Sequence, residues 1–167
     1  MQSAPKVERR FIEFRADNDG LSGTVIRYGD VAAFGDFTER FASGSIRMDA
    51  DIVANIMHDR AKPVARIGAG LTLSDTGGAV EARIAFPETS FARDAKELVE
   101  ARILRGFSIE FMAIRERMEG RERIIEKARM TGLGIVDRPA YPDSVIADRI
   151  AELQAAPAPT RKRRTAL

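Results

Sequence analysis

Residues 103–111 constrain this chain more than any other stretch, because a helical pattern ends there and a β-strand begins. Gly106 separates the two patterns. From Phe107 onward apolar residues alternate with other residue types, which predicts a strand with one apolar face and one mixed face. Ser108 and Glu110 are two residues apart and therefore share the mixed face. A hydroxyl and a carboxylate thus point to the same side of one strand.

The chain contains a single histidine, His58, and it is the only imidazole that could activate Ser108. A serine hydroxyl becomes a nucleophile when a base removes its proton, and imidazole is the usual base. The separation along the chain is no obstacle, because such pairs meet in space. A lone histidine is more often structural than catalytic, so both interpretations stay open. Without cysteine or a second histidine a metal site is disfavoured, and we expect no metal and no cofactor.

The composition narrows the classes of function. The 167 residues include 27 Lys plus Arg and 25 Asp plus Glu. The chain contains no cysteine, and this absence fits a reducing cytosol. Balanced charge, two tyrosines and no tryptophan disfavour a nucleic-acid-binding barrel, which relies on basic grooves and stacking aromatics. No apolar run approaches membrane-spanning length and residues 1–6 lack the apolar core of a signal peptide, so no membrane association is expected.

Turn-forming residues divide the chain into short segments. Their patterns predict two helices, at 46–50 and 91–104, and aromatic core residues at helical or turn-like spacing, Phe34, Phe37 and Phe41. They also predict about seven strands joined mostly by short turns: 7–15, 21–28, 52–58, 64–73, 79–86, 107–118 and 123–136. This set indicates a mainly β, α+β protein, a closed or nearly closed antiparallel β-barrel flanked by helices.

The end of the chain differs in composition. We expect one domain over residues 1–150, ending in a short strand or helical turn at 145–150, and an Ala/Pro-rich linker with a basic tail over 151–167. The tail is predicted to be disordered. Its cations could simply aid solubility or could bind acidic scaffold or nucleic acid weakly; they are Arg161, Lys162, Arg163 and Arg164.

Several segments, taken in order, resemble the prohead maturation serine proteases of tailed bacteriophages. The resemblance covers about residues 7–150. It depends on the order and spacing of its pieces, which are 23–30, 39–46, 58–59, 67–68, 104–111 and 136–141. That family shares a barrel fold with the herpesvirus capsid proteases, so the resemblance implies such a barrel here.

The resemblance also implies an activity. It implies a serine endopeptidase that cleaves scaffold or major-capsid-protein segments inside an assembling procapsid, in the host bacterial cytoplasm. His58 falls on the family's general base and Ser108 on its nucleophile. The sequence leaves open whether the chain forms a homo-oligomer or cleaves itself. The alternative is a catalytically impaired member of the same fold that serves as a capsid-assembly or scaffold module.

One departure from the family concerns the third catalytic group. Many relatives carry a glutamate where this chain has Gly132, and relatives often carry glycine where this chain has Glu110. If the two long strands pair through the turn at 119–120, Glu110 lies opposite residues 129–131. The hypothesis is that Glu110 orients His58 from across the ladder.

Other carboxylates remain candidates for that role. Asp137 is the second candidate and Asp59, adjacent to His58, is the third. A serine–histidine pair that works without a carboxylate is the remaining alternative.

Overall fold

The computed structural model describes residues 7–13, 15–17 and 20–137. Within them it contains one α-helix, α1 (Ser90–Glu100), between the tenth and eleventh strands. The strands are β1 (Val7–Glu13), β2 (Arg15–Asp17), β3 (Gly20–Arg27), β4 (Ala32–Phe34), β5 (Phe37–Phe41), β6 (Ile46–Met48), β7 (Val53–Ile56), β8 (Pro63–Ile67), β9 (Gly70–Asp75), β10 (Ala79–Ile84), β11 (Gly106–Glu119) and β12 (Glu122–Val136). The predicted segment at 145–150 and the tail at 151–167 lie outside the described residues.

All the described strands belong to one sheet, and β12 organises it. One edge of β12 pairs antiparallel with β11 along almost its whole length, through a two-residue turn that contains Gly120 at φ 59°. The other edge meets β5, β6 and β7 one after another, each parallel to β12. The three short strands therefore pair with successive parts of the same long strand, since each of them is only three to five residues long.

The sheet curls strongly into a half-barrel. The β11–β12 ladder shifts register at three places, and such bulges bend strands and increase their twist. As a result β3, near one end of the strand order, contacts β1 and β11 at the other end. The mainly β prediction is confirmed, but the closed seven-strand antiparallel barrel flanked by helices is wrong. The sheet is open, several pairs are parallel, and a single helix flanks the described part.

Two segments with predicted helical character are strands. The helix predicted at 46–50 is wrong, because the chain there forms β6. This strand of three residues pairs parallel with β12, and Ile46 is buried while Arg47 is exposed. Phe34 and Phe37 face each other across a two-residue hairpin turn, and their rings stack with centroids 5.7 Å apart. Segments this short contain too few residues for a strand alternation to be visible in the sequence.

The strand predicted at 64–73 is interrupted. It forms β8 and β9, separated around Gly68, whose φ of 82° is a left-handed conformation that turns the chain. The interruption is local, because Leu71 on β9 is again buried in the core.

The apolar face of β11 forms much of the core, as its alternation predicts. Phe107, Ile109 and Phe111 are at most 1% exposed, and the Phe111 ring meets that of Phe41 edge to face, with centroids 5.2 Å apart. The buried Phe41 confirms that this aromatic belongs to the core.

Helix α1 delivers the chain to β11. Thr89 caps it by accepting a hydrogen bond from the Ala92 amide at 3.3 Å, and Ala92 and Ala95 are fully buried. The helix ends at Glu100 rather than at the predicted residue 104, because Arg102 adopts φ 59° and redirects the chain. It is not long and apolar enough to cross a lipid bilayer.

A buried cluster of charges joins β1, β5, β11 and β12. Arg123 is 0% exposed and donates hydrogen bonds of 2.6 Å to both carboxylate oxygens of Glu8 and of 2.8 Å to Glu39. Glu116 also accepts from Arg123, and Arg10 donates to Glu8 and Glu39. Three carboxylates thus share two guanidinium groups away from water.

The arginines keep Glu8 ionised. Burial alone would raise the pKa of Glu8, but the hydrogen bond and charge of Arg123, together with Arg10, outweigh burial and leave that pKa below its ordinary value of 4.5. The cluster ties the N-terminal strand β1 to the two long strands.

Candidate functional site

The mixed face of β11 carries two polar side chains that are largely removed from solvent. Ser108 is 3% exposed and the Glu110 side chain is 12% exposed. Directly opposite them on β12 lie Gly134 and Gly132, respectively. Because directly opposed residues project from the same face of a sheet, the two glycines leave open space beside the hydroxyl and the carboxylate.

His58 follows β7 in a tight turn. The turn is closed by the Asp59 amide, which donates to the Ile56 carbonyl at 2.9 Å, and both central residues are left-handed, Met57 at φ 53° and His58 at φ 58°. Such a conformation costs a non-glycine residue about 1–3 kcal/mol and is concentrated at functional sites. The predicted strand at 52–58 is therefore confirmed only to Ile56.

The His58 ring lies against Gly134. A Cβ placed on Gly134 would come within 2.7 Å of Cε1, 2.8 Å of Nε2 and 2.9 Å of Nδ1 of that ring. Gly134 is the residue directly opposite Ser108 in the ladder. The imidazole and the hydroxyl, fifty positions apart in the sequence, are thus brought to the same place on one sheet face.

Glu110 contacts the imidazole at Nδ1. Its Oε1 lies 2.7 Å from Nδ1 of His58, and Arg9 lies 3.5 Å from the same oxygen. The His58 contact is short but bent, because Nδ1 does not point straight at the oxygen. Catalytic hydrogen bonds are often misaligned until substrate binds.

The surroundings of Glu110 define its charge state. The hydrogen bond from His58 is the main reason that the pKa of Glu110 is held below 4.5; burial opposes this shift, and the positive charges of His58, Arg9 and Arg60 add to it. Glu110 is therefore an anion at neutral pH. An anion at Nδ1 keeps the proton on that nitrogen, which leaves Nε2 to act as a base. Nε2 is buried and has no hydrogen-bond partner among residues 7–13, 15–17 and 20–137.

The other two candidate carboxylates, Asp59 and Asp137, have surroundings that differ from those of Glu110. The Asp59 side chain is 44% exposed, accepts a hydrogen bond from the Ala61 amide at 2.9 Å and lies 3.7 Å from Lys62. Asp137 follows β12, where its backbone carbonyl accepts a hydrogen bond from Arg105. Of the three, Glu110 has the ion-pair contact with His58.

The ladder register differs from the expected one by a single residue. Glu110 pairs with Gly132 rather than with a residue in 129–131, because a bulge between Glu110 and Phe111 leaves Thr131 without an opposite residue. A Cβ on Gly132 would lie 3.4 Å from Cδ of Glu110. Glu110 therefore stands directly across the ladder from Gly132, the position that the resemblance singled out for a carboxylate.

The sequence pattern alone does not point to Gly134 as the residue on which the His58 ring rests. The available signal was its position two residues after Gly132 within a strand otherwise rich in apolar residues, since glycine inside a strand often marks the close approach of another group. A second feature missed was Arg9, whose side chain reaches Glu110 from β1. No cluster of three or more potential metal ligands occurs in the part of the chain that the structure describes.

The fold and the geometry together define a class of protein. A nearly buried serine, a histidine held over its ladder partner and a carboxylate at Nδ1 of that histidine are the groups that serine hydrolases use.

The comparison with known families identifies the class further. The family model for the caudovirus prohead serine proteases matches residues 6–158, so the chain belongs to that family. The resemblance seen in the sequence is confirmed. Neither the curated proteins nor the solved structures gave a match.

Proposed function

We propose that the chain is an endopeptidase that cleaves scaffold or capsid-protein segments during procapsid maturation, with Ser108 as nucleophile, His58 as general base and Glu110 as the orienting carboxylate. Membership of the prohead serine protease family supports a maturation role inside an assembling procapsid in the host cytoplasm. The observation that carries the residue assignment is the 2.7 Å contact between Glu110 and His58, beside the ladder partner of Ser108.

The proposed reaction follows from these positions. Nε2 of His58 takes the proton of Ser108 as the hydroxyl oxygen attacks the scissile carbonyl, and the charge of Glu110 stabilises the resulting imidazolium. The imidazolium then gives the proton to the leaving amine. A water molecule, deprotonated by the same nitrogen, releases the acyl group from Ser108 and restores the hydroxyl.

Co-expression with the major capsid protein encoded in the same phage or prophage genome tests the activity. The intact chain is expected to shorten the capsid or scaffold protein, and Ser108→Ala is expected to abolish shortening. An active-site-directed fluorophosphonate should label the intact chain at Ser108 and fail to label His58→Ala. Particles that assemble normally with an unshortened capsid protein, together with no labelling of Ser108, would support a non-catalytic assembly module instead.

The role of Glu110 has its own test. Glu110→Gln should lower turnover by about 10²- to 10⁴-fold, because a neutral amide neither fixes the imidazole tautomer nor stabilises the imidazolium. The folded state should persist, as measured by circular dichroism and thermal unfolding. The matched control is Glu97→Gln on the exposed side of α1, which should leave turnover unchanged. Equal turnover in the two variants would reject the role.

A further inference from the structure

A cleft of about 540 Å³ opens beside Glu110 on the face that carries the proposed catalytic groups. Asn55 of β7, Met112 of β11 and Gly132 of β12 line it together with Glu110. Its volume lies within the range of ligand sites and can hold a few residues of an extended peptide. Because the cleft begins two residues along β11 from Ser108, a chain bound at the serine could continue into it.

Asn55 provides an unused acceptor in this cleft. The residue is only 7% exposed, and its Oδ1 has no hydrogen-bond partner within the described ranges. Buried polar groups are normally satisfied, so an unpartnered oxygen at the wall of a cleft is suited to a donor that arrives with a ligand. The main chain of a peptide offers such an N–H at every residue except proline.

The charges of the cleft leave one cation available. Arg66 lies 3.6 Å from Asp51, and Arg129 lies 3.3 Å from Asp49, so these lining residues are already paired. Arg60 also lines the cleft and is exposed. Its charge lowers the pKa of Glu110, but among the described residues it makes no ion pair within 4 Å. An anionic group entering the cleft would find its counter-ion there.

We propose that this cleft is a specificity subsite, in which Asn55 accepts a main-chain N–H of the substrate and Arg60 pairs with an acidic substrate side chain. The inference rests on the proposed protease function and adds the class of substrate. Glu110 and Met112 lie roughly 7 and 13 Å along β11 from Ser108, since a strand rises about 3.3 Å per residue. An extended substrate has a similar rise, which places the acidic residue two to four positions from the scissile bond.

The test is a cleavage profile of the full chain on a proteome-derived peptide library, read on both sides of the cut by mass spectrometry. Aspartate or glutamate should be enriched at one position two to four residues from the bond. Arg60→Glu should lower kcat/KM for an acidic peptide about tenfold or more, mainly through KM, and should favour the same peptide with lysine at that position. The control is Arg47→Glu, an equal change of charge at an exposed position of β6 outside the cleft. It should alter neither the kcat/KM for the acidic peptide nor the preference between the acidic and the lysine peptide.

Asn55→Ala gives a second, charge-independent arm. It should raise KM for the acidic peptide while fluorophosphonate labelling of Ser108 stays at the wild-type rate, because the change removes an acceptor from the substrate and leaves the proposed catalytic groups in place. Cleavage without acidic enrichment, or an Arg60→Glu profile equal to that of Arg47→Glu, would overturn the subsite and leave the protease intact. Absence of both cleavage and labelling would instead overturn the proposed function.

Discussion

Gly134→Ala should disable the proposed site without disturbing the fold. The added methyl would come within 2.7–2.9 Å of three atoms of the His58 ring, where ordinary contact requires 3.4–4 Å. Gly134 does not have a left-handed backbone, so alanine strains nothing else. The ring is the group that must move.

The size of the effect follows from these distances. Restoring ordinary contact moves the imidazole by roughly 0.5 Å or more from its place over Gly134, the ladder partner of Ser108. A misplacement on the order of 1 Å can lower a rate by about 10²-fold, so kcat should fall by about 10- to 100-fold. Stability should change little, because alanine gains about 0.5–1 kcal/mol over glycine in a strand and the displaced ring offsets that gain.

Gly132→Ala is the matched control, since it lies two residues away on the same strand face. Its methyl would meet Glu110 atoms at 3.4–3.5 Å, which is ordinary contact, so turnover should stay within a factor of about three. Peptide hydrolysis and thermal unfolding measure both variants. The single histidine also gives one set of imidazole signals in ¹⁵N-edited NMR spectra, which Gly134→Ala should shift. Wild-type turnover with unshifted imidazole signals would refute the reasoning.

Two further predictions concern the buried charge cluster. Arg123→Met should lower the free energy of unfolding in urea by about 3–5 kcal/mol, because it leaves three buried carboxylates with Arg10 as the remaining arginine of the cluster. The control Arg117→Met removes an arginine that forms ion pairs at the surface and should cost under about 1 kcal/mol. Similar losses of stability in the two variants would contradict a special role of the buried cluster. Glu8 has a folded pKa below 4.5, so its ionised form stabilises the protein above that pH, and the contribution disappears as pH falls through the folded pKa. Glu8→Gln should be less stable at neutral pH and lose less stability on acidification; parallel pH profiles of the two proteins would argue against it.

Part of the fold could be predicted because the relevant signals are local. The faces of β11 follow from the alternation of Phe107, Ile109 and Phe111 with Ser108 and Glu110, and a period of two needs only a few residues to be recognised. The turn before β12 and the cap of α1 depend on single residues with strong preferences. These signals also suffice to place the hydroxyl and the carboxylate on one face.

The sheet itself could not be predicted in this way. The short strands β4 and β6 carry no alternation long enough to distinguish them from helix or loop. β6 forms where β12 offers it an edge, and β4 forms in a hairpin with β5, which itself pairs with β12. The bulge at Thr131, which moves the partner of Glu110 to Gly132, likewise depends on how the two long strands pair over their whole length. Neither effect has a local cause in the sequence.

The sequence by itself determined which chemical groups are available, a single imidazole, a serine and a carboxylate on one strand face, because residue identity and period-two spacing are local properties. Only the tertiary structure decided that the imidazole rests on Gly134 with Glu110 at its Nδ1. That meeting depends on the left-handed turn at Met57 and His58 and on the parallel pairing of β7 with β12, and both arise from contacts between residues far apart in the chain.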